Sequence, residues 1–135
     1  MRYVRTLAAP QPNGHYSQAV VVGDMIYLSN QLPITPMTGG SIPSGVAAQT
    51  RQAIANCQAI LRAVGSDLAR VVSVSIQVTD MAAWTEVDAA FAEAFGEHRP
   101  ARGVAEVSRL HVDAQVAMQM TAIRRGSWPR LVTAR

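Results

Sequence analysis

Lysine is absent from this 135-residue chain; all twelve basic side chains are arginines. A lysine Schiff base and a Gly-Lys-Ser/Thr phosphate loop are therefore excluded. A lone cysteine, Cys57, excludes an internal disulfide. Charged residues make up only 16% against 49% apolar, which excludes a disordered chain. No apolar run approaches the ~18 residues of a membrane-spanning helix. The opening Met1 to Ala9 is too short and too broken by arginine for a secretory signal, so the expected location is the cytoplasm. His15, His98 and His111 lack ligand-like spacing, and neither a metal nor another cofactor is expected. Gly-x-Ser-x-Gly, His-Glu-x-x-His and Gly-x-Gly-x-x-Gly are all missing, so no nucleophile or dinucleotide loop is announced.

The net charge is +3 and the sequence pI about 9.8. Four arginines, Arg124, Arg125, Arg130 and Arg135, fall in the last twelve residues while the others are scattered. A solvated tail accounts for them, and nucleic acid is not an expected partner. The length suits one domain of the usual ~100–200 residues. We expect residues 1–125 to form it and 126–135 to be a basic tail, with Trp128 and Pro129 hinting that the tail docks.

Strands are expected from Gln18 to Val22 and from Met25 to Gln31, across a Gly23-Asp24 turn. Three prolines and two glycines make 32–43 a loop. Ser44 is placed to cap a helix reaching Val64, where Ile54, Cys57, Leu61 and Val64 form a buried stripe and Gly65 stops it. Val71 to Thr79 reads as a strand, with Val72, Val74, Ile76 and Val78 on one face and Ser73, Ser75, Gln77 and Thr79 on the other. A second helix from Ala82 to Phe95 buries Trp84, Val87, Phe91 and Phe95 before Gly96. Strands Gly103 to Val107 and Ala114 to Ile123 follow, the last with Val116, Met118 and Met120 opposite Ala117, Gln119 and Thr121.

That order is an α+β pattern. Two helices cover one face of a mixed sheet and leave Ser73, Ser75, Gln77, Gln119 and Thr121 on the other. A second copy of the chain is the simplest cover for such a face, and pockets commonly lie where subunits meet. Arg102, after Pro100 and at a strand mouth, has the planar fork that grips a carboxylate through two hydrogen bonds. It can instead pair with Glu97 or Glu106. Tyr16 precedes a strand and could wall a pocket, or simply pack half-buried.

Several short motifs stand in register: Gly14-His15-Tyr16-Ser17-Gln18-Ala19, Ser29-Asn30-Gln31-Leu32-Pro33, Pro36-Met37-Thr38-Gly39, Gln49-Thr50 with Asn56, and Pro100-Ala101-Arg102. Over roughly residues 10–125 the chain thereby resembles the YjgF/RidA family of imine and enamine deaminases, also described as translation inhibitors or L-PSP endoribonucleases. The resemblance implies a chorismate-mutase-like α+β fold, a homotrimer with clefts between subunits, and a small carboxylate-bearing substrate. It implies that Arg102 binds the carboxylate, that the Val104 backbone helps hold the ligand, and that Tyr16, Ser29 and Asn30 contact it. A final-strand Glu of active members positions the water that attacks the imine carbon, releasing ammonia and a 2-oxo acid.

The chain departs from that pattern in five places. Gln119 stands at the Glu position, and an amide can hold a water but cannot exchange a proton with it near neutral pH. Val104 stands where a Cys is common, His15 where a Pro is usual, and Asn30 where a Gly is usual; Asn tolerates a left-handed backbone. Asp88 replaces a frequent Asn. It lies off the helix stripe, as a solvated residue would, but facing the cleft it would supply proton-transfer capacity. The expected function is hydrolysis of small carboxylated enamines or imines. The alternative is a non-catalytic trimer that binds a small acid or a partner. RNA cleavage finds no supporting His pair or basic, aromatic-studded strand face.

Overall fold

A computed structural model describes residues 1–124; the expected tail from 126 to 135 lies outside the described residues. The elements run β1 (Arg2–Val4), β2 (Ala19–Val22), β3 (Met25–Leu28), α1 (Val46–Ala63), β4 (Val71–Val78), α2 (Trp84–Phe95), β5 (Ala101–Glu106) and β6 (Val116–Ile123). The six strands form one sheet in the order β1-β2-β3-β6-β4-β5. Only β4 and β5 pair in parallel, and α2 is the crossover such a pair requires. The α+β class and mixed sheet thus agree with expectation. The first strand was not anticipated: Arg2-Tyr3-Val4 has too short a pattern to declare itself and is ordered by antiparallel pairing with β2.

Alternation positions the core. Val74, Ile76, Val78, Val116, Met118 and Met120 are buried together with Ile54, Cys57, Leu61 and Val64 of α1 and Val87, Phe91 and Phe95 of α2. Burying one such aliphatic side chain contributes about 1.5–3 kcal/mol. Two expectations fail here. Val72 is 45% exposed while Val71 is buried, because a register shift between Val71 and Ser73 inserts one residue and turns Val72 outward. Trp84 is only partly buried against the core. Helix α1 begins at Val46 after Gly45, whose φ of 90° only glycine adopts without strain, and no side chain caps it. Ser44 is therefore not its cap.

Among the described residues, no helix lies on the opposite face of the sheet. The row Tyr3, Val20, Tyr27, Thr121, Ser73 and Ala101 crosses all six strands on it. The next rows place Gln119 and Gly103 beside Ser75, then Ala117 and Ala105 beside Gln77. Small side chains at its centre let another body approach closely.

Buried amides tie the loops to this frame. Asn56 donates to the carbonyls of Leu32 and Ile34 at 3.0 and 2.9 Å. Gln18 accepts from the Thr6 amide at 2.7 Å and donates to the carbonyls of Thr6 and Pro10. Gln49 exchanges hydrogen bonds with Gln115. Each would carry an unmet desolvation cost without these partners.

Candidate functional site

Arg102 lies within β5 rather than at its mouth, since the strand begins at Ala101. Its rung of the ladder contains Val74 and Met120, both buried beneath the helices, so its side chain leaves the sheet on the α2 side. There its Nη1 donates to Oδ1 of Asp88 at 2.7 Å. The guanidinium carbon is 4.9 Å from the ring centroids of both Trp84 and Phe91. These cation–π contacts fix the guanidinium's position while its side chain stays 30% exposed. The partner is neither Glu97 nor Glu106; the latter instead accepts from the Met81 amide at 2.8 Å. Asp88 is correspondingly not a free solvated side chain. Its position one residue past Val87 turns it to the flank of α2 that overlooks Arg102. Both residues line a depression of about 510 Å³ together with Phe95, His98, Arg99 and Pro100. His98 is held at its base by a 2.7 Å hydrogen bond between Nε2 and the Val71 carbonyl.

A second cleft, about 700 Å³, contains Tyr16, Asn30, Gln31, Met37, His111 and Val112. Tyr16 is 53% exposed and its hydroxyl accepts from the Asn13 amide at 3.3 Å. Strand β3 stops at Leu28, not Gln31, because the ladder slips by one residue before Gln31 pairs with Met118. Ser29 bonds back to Ser17 and Gln18, leaving Asn30 exposed. Asn30 is absent from the positive-φ residues, so this turn does not use asparagine's left-handed tolerance. That conformation falls instead on Met37 and Val112, at φ 63° and 57°, both lining the same cleft, and on Asp113 at φ 55°. A β-branched residue there is strained, and sequence reading gave no sign of it.

Gln119 is adjacent to Ser75 on the helix-free face, with Gly103 on the far side of Ser75. Its Nε2 donates to the carbonyls of Leu28 and Met120 at 3.0 and 3.1 Å. Both amide protons are thereby directed at backbone, and Oε1 is left as an acceptor. Val104 shares the Ile76 rung and is 38% exposed. Within one chain, then, Arg102 and Asp88 come together, Tyr16 and Asn30 share a cleft, and Gln119 meets the Leu28–Ser29 peptide. Arg102 and Gln119 stay apart on opposite faces.

Cys57 is the one thiol of the chain. Burial pushes it far above the ordinary thiol range, with a backbone hydrogen bond opposing more weakly. It is no nucleophile at neutral pH. Among the described residues no three His, Cys, Asp or Glu side chains converge as metal ligands, and no helix is long and apolar enough to cross a membrane.

Comparison with known proteins agrees with this architecture. The model of the family "Endoribonuclease L-PSP" matches residues 6–124. The 2-iminobutanoate/2-iminopropanoate deaminase of Escherichia coli K12 is 38% identical over 125 residues, covering 90% of this chain and 97% of that protein. The crystal structure of the E. coli YjgF gene product superposes with a TM-score of 0.88 at 37% identity, covering 93% of this chain and 100% of that one. E. coli TdcF, solved with bound serine, has a TM-score of 0.88 at 30% identity, covering 92% and 99%. The chain is a member of the YjgF/RidA (L-PSP) family.

Proposed function

We propose that the protein hydrolyses small 2-imino acids to 2-oxo acids and ammonia, in clefts between the subunits of a homotrimer. The placement of Arg102 and Gln119 on opposite faces of the sheet carries this reading. One protomer contributes Arg102, Asp88 and Val104; its neighbour contributes Gln119, Ser29, Asn30 and Tyr16. The small-residue face around Gly103 and Ser75 supplies room for that neighbour, and a deaminase among the relatives supports the chemistry.

In this arrangement the substrate carboxylate takes the guanidinium donors that Asp88 leaves open. The Gln119 Oε1 accepts a hydrogen bond from water and aims its lone pair at the imine carbon. Water adds across the C=N bond, its proton passing to the nitrogen. The resulting carbinolamine then collapses to a carbonyl as the C–N bond breaks and ammonia leaves. Orientation does most of the work, since Gln119 moves no proton.

The test is ammonia and 2-oxo acid release from freshly generated 2-iminobutanoate. Wild-type protein should exceed the spontaneous rate and Arg102→Ala should not. Equal rates for the two proteins would sink the enzyme reading. The directing of both Gln119 amide protons to carbonyls favours a second reading, a trimer that binds such acids without turnover. It predicts saturable, Arg102-dependent binding with no ammonia above background.

The helix-free face bears Tyr3 and Tyr27, but its central rows hold Ser, Thr, Gln, Ala and Gly rather than arginine. That surface does not favour RNA.

A further inference from the structure

Arg102 presents five N–H donors, and Asp88 engages one nitrogen through one oxygen. The rest of the fork is open, as is the second oxygen of Asp88, whose side chain is 49% exposed. Trp84 and Phe91 hold the guanidinium in place, so the pair offers a fixed cation and a fixed anion side by side. Together they carry no net charge. A ligand with only a carboxylate meets attraction from Arg102 and repulsion from Asp88 at nearly the same distance. A ligand with a carboxylate and an adjacent nitrogen cation meets two attractions.

We infer that Asp88 reads the charge on the substrate nitrogen, so that the Arg102–Asp88 pair selects zwitterionic iminium acids over plain carboxylates. The inference rests on Arg102 being the carboxylate anchor proposed above. It also resolves a difficulty that Gln119 creates. A neutral imine attacked by water needs proton help that an amide cannot give. A protonated C=N is already electrophilic, and a nearby carboxylate stabilises its charge. The attacking water then hands its proton to the nitrogen as that nitrogen's positive charge is consumed, and the balance closes without a protein base. The 2-oxo acid product lacks the cation, so it is held less firmly than the substrate and departs.

Stable probes test this by titration calorimetry: 2-aminobutanoate as the zwitterion and 2-oxobutanoate as the plain anion, at pH 7 and fixed salt. Wild-type protein should bind the amino acid more tightly. Asp88→Asn should weaken it about tenfold, as loss of one charge-assisted hydrogen bond implies, and should tighten the oxo acid. Asp88→Ala, which cannot leave an amide in place, should shift the ratio the same way. Arg102→Ala should abolish binding of both. Equal shifts for the two probes, weaker oxo-acid binding in Asp88→Asn, or no amino-acid binding by wild type would overturn the inference. Its failure is distinct from that of the deaminase reading. Ammonia release with unchanged selectivity in Asp88→Asn removes Asp88's role alone, whereas charge-selective binding without ammonia release removes only turnover.

Discussion

Arg102 and Gln119 flank β4 on adjacent rungs, Arg102 beside Val74 and Gln119 beside Ser75, and therefore project from opposite faces of the sheet. The rung offset of one residue reverses the side-chain direction. The proposed cleft, which uses both residues, draws them from two protomers.

This gives a complementation prediction. Arg102→Ala and Gln119→Leu should each be inactive alone. Co-refolded in equal amounts, they should regain about a quarter of wild-type ammonia release, the statistical share of clefts receiving both intact residues in a symmetric ring. Absence of recovery in verified mixed oligomers would place both residues of a site in one chain.

Gln119→Glu replaces a double donor with a carboxylate facing the Leu28 and Met120 carbonyls. Near neutral pH we expect a loss of about 1–3 kcal/mol in urea unfolding. The charged form is disfavoured in the fold, so the folded-state pKa rises above the unfolded one. Stability is then fully present below the unfolded pKa and is lost as the pH climbs through the folded pKa. Parallel urea curves at low and neutral pH, each set against wild type, measure that difference. A difference that does not change with pH refutes it.

Asn56 is 1% exposed and satisfies the Leu32 and Ile34 carbonyls. Asn56→Ala should cost about 2–3 kcal/mol by stranding these groups. Hydrogen exchange should accelerate first in 32–43, the loop beside the Tyr16–Asn30 cleft. Uniform acceleration across the sheet would instead mean global unfolding.

Val112 holds a left-handed conformation that costs an ordinary residue about 1–2 kcal/mol. Val112→Asn should recover part of this and raise the thermal midpoint. A lowered midpoint would mean that packing of the valine outweighs its backbone strain.

Cys57, fully buried with its thiol held protonated, should resist an aromatic disulfide reagent in the native protein. Reaction should follow unfolding, with a rate that tracks denaturant. Rapid stoichiometric labelling under native conditions would contradict this burial.

Both helices, five of the six strands and the buried stripes of α1 were legible in the amino-acid sequence, because apolar side chains recurring at helical or alternating spacing announce their own periodicity. Arg102 and Tyr16 were legible as candidates from residue type and placement, and Asn30 and Gln119 only through the family resemblance. Tertiary structure alone decided the rest. Pairing with β2 ordered β1, one inserted residue turned Val72 outward, and α2 brought Asp88 to Arg102 from fourteen positions away. Each of these depends on a contact between distant parts of the chain, and local spacing carries information only about neighbours within a turn or a strand.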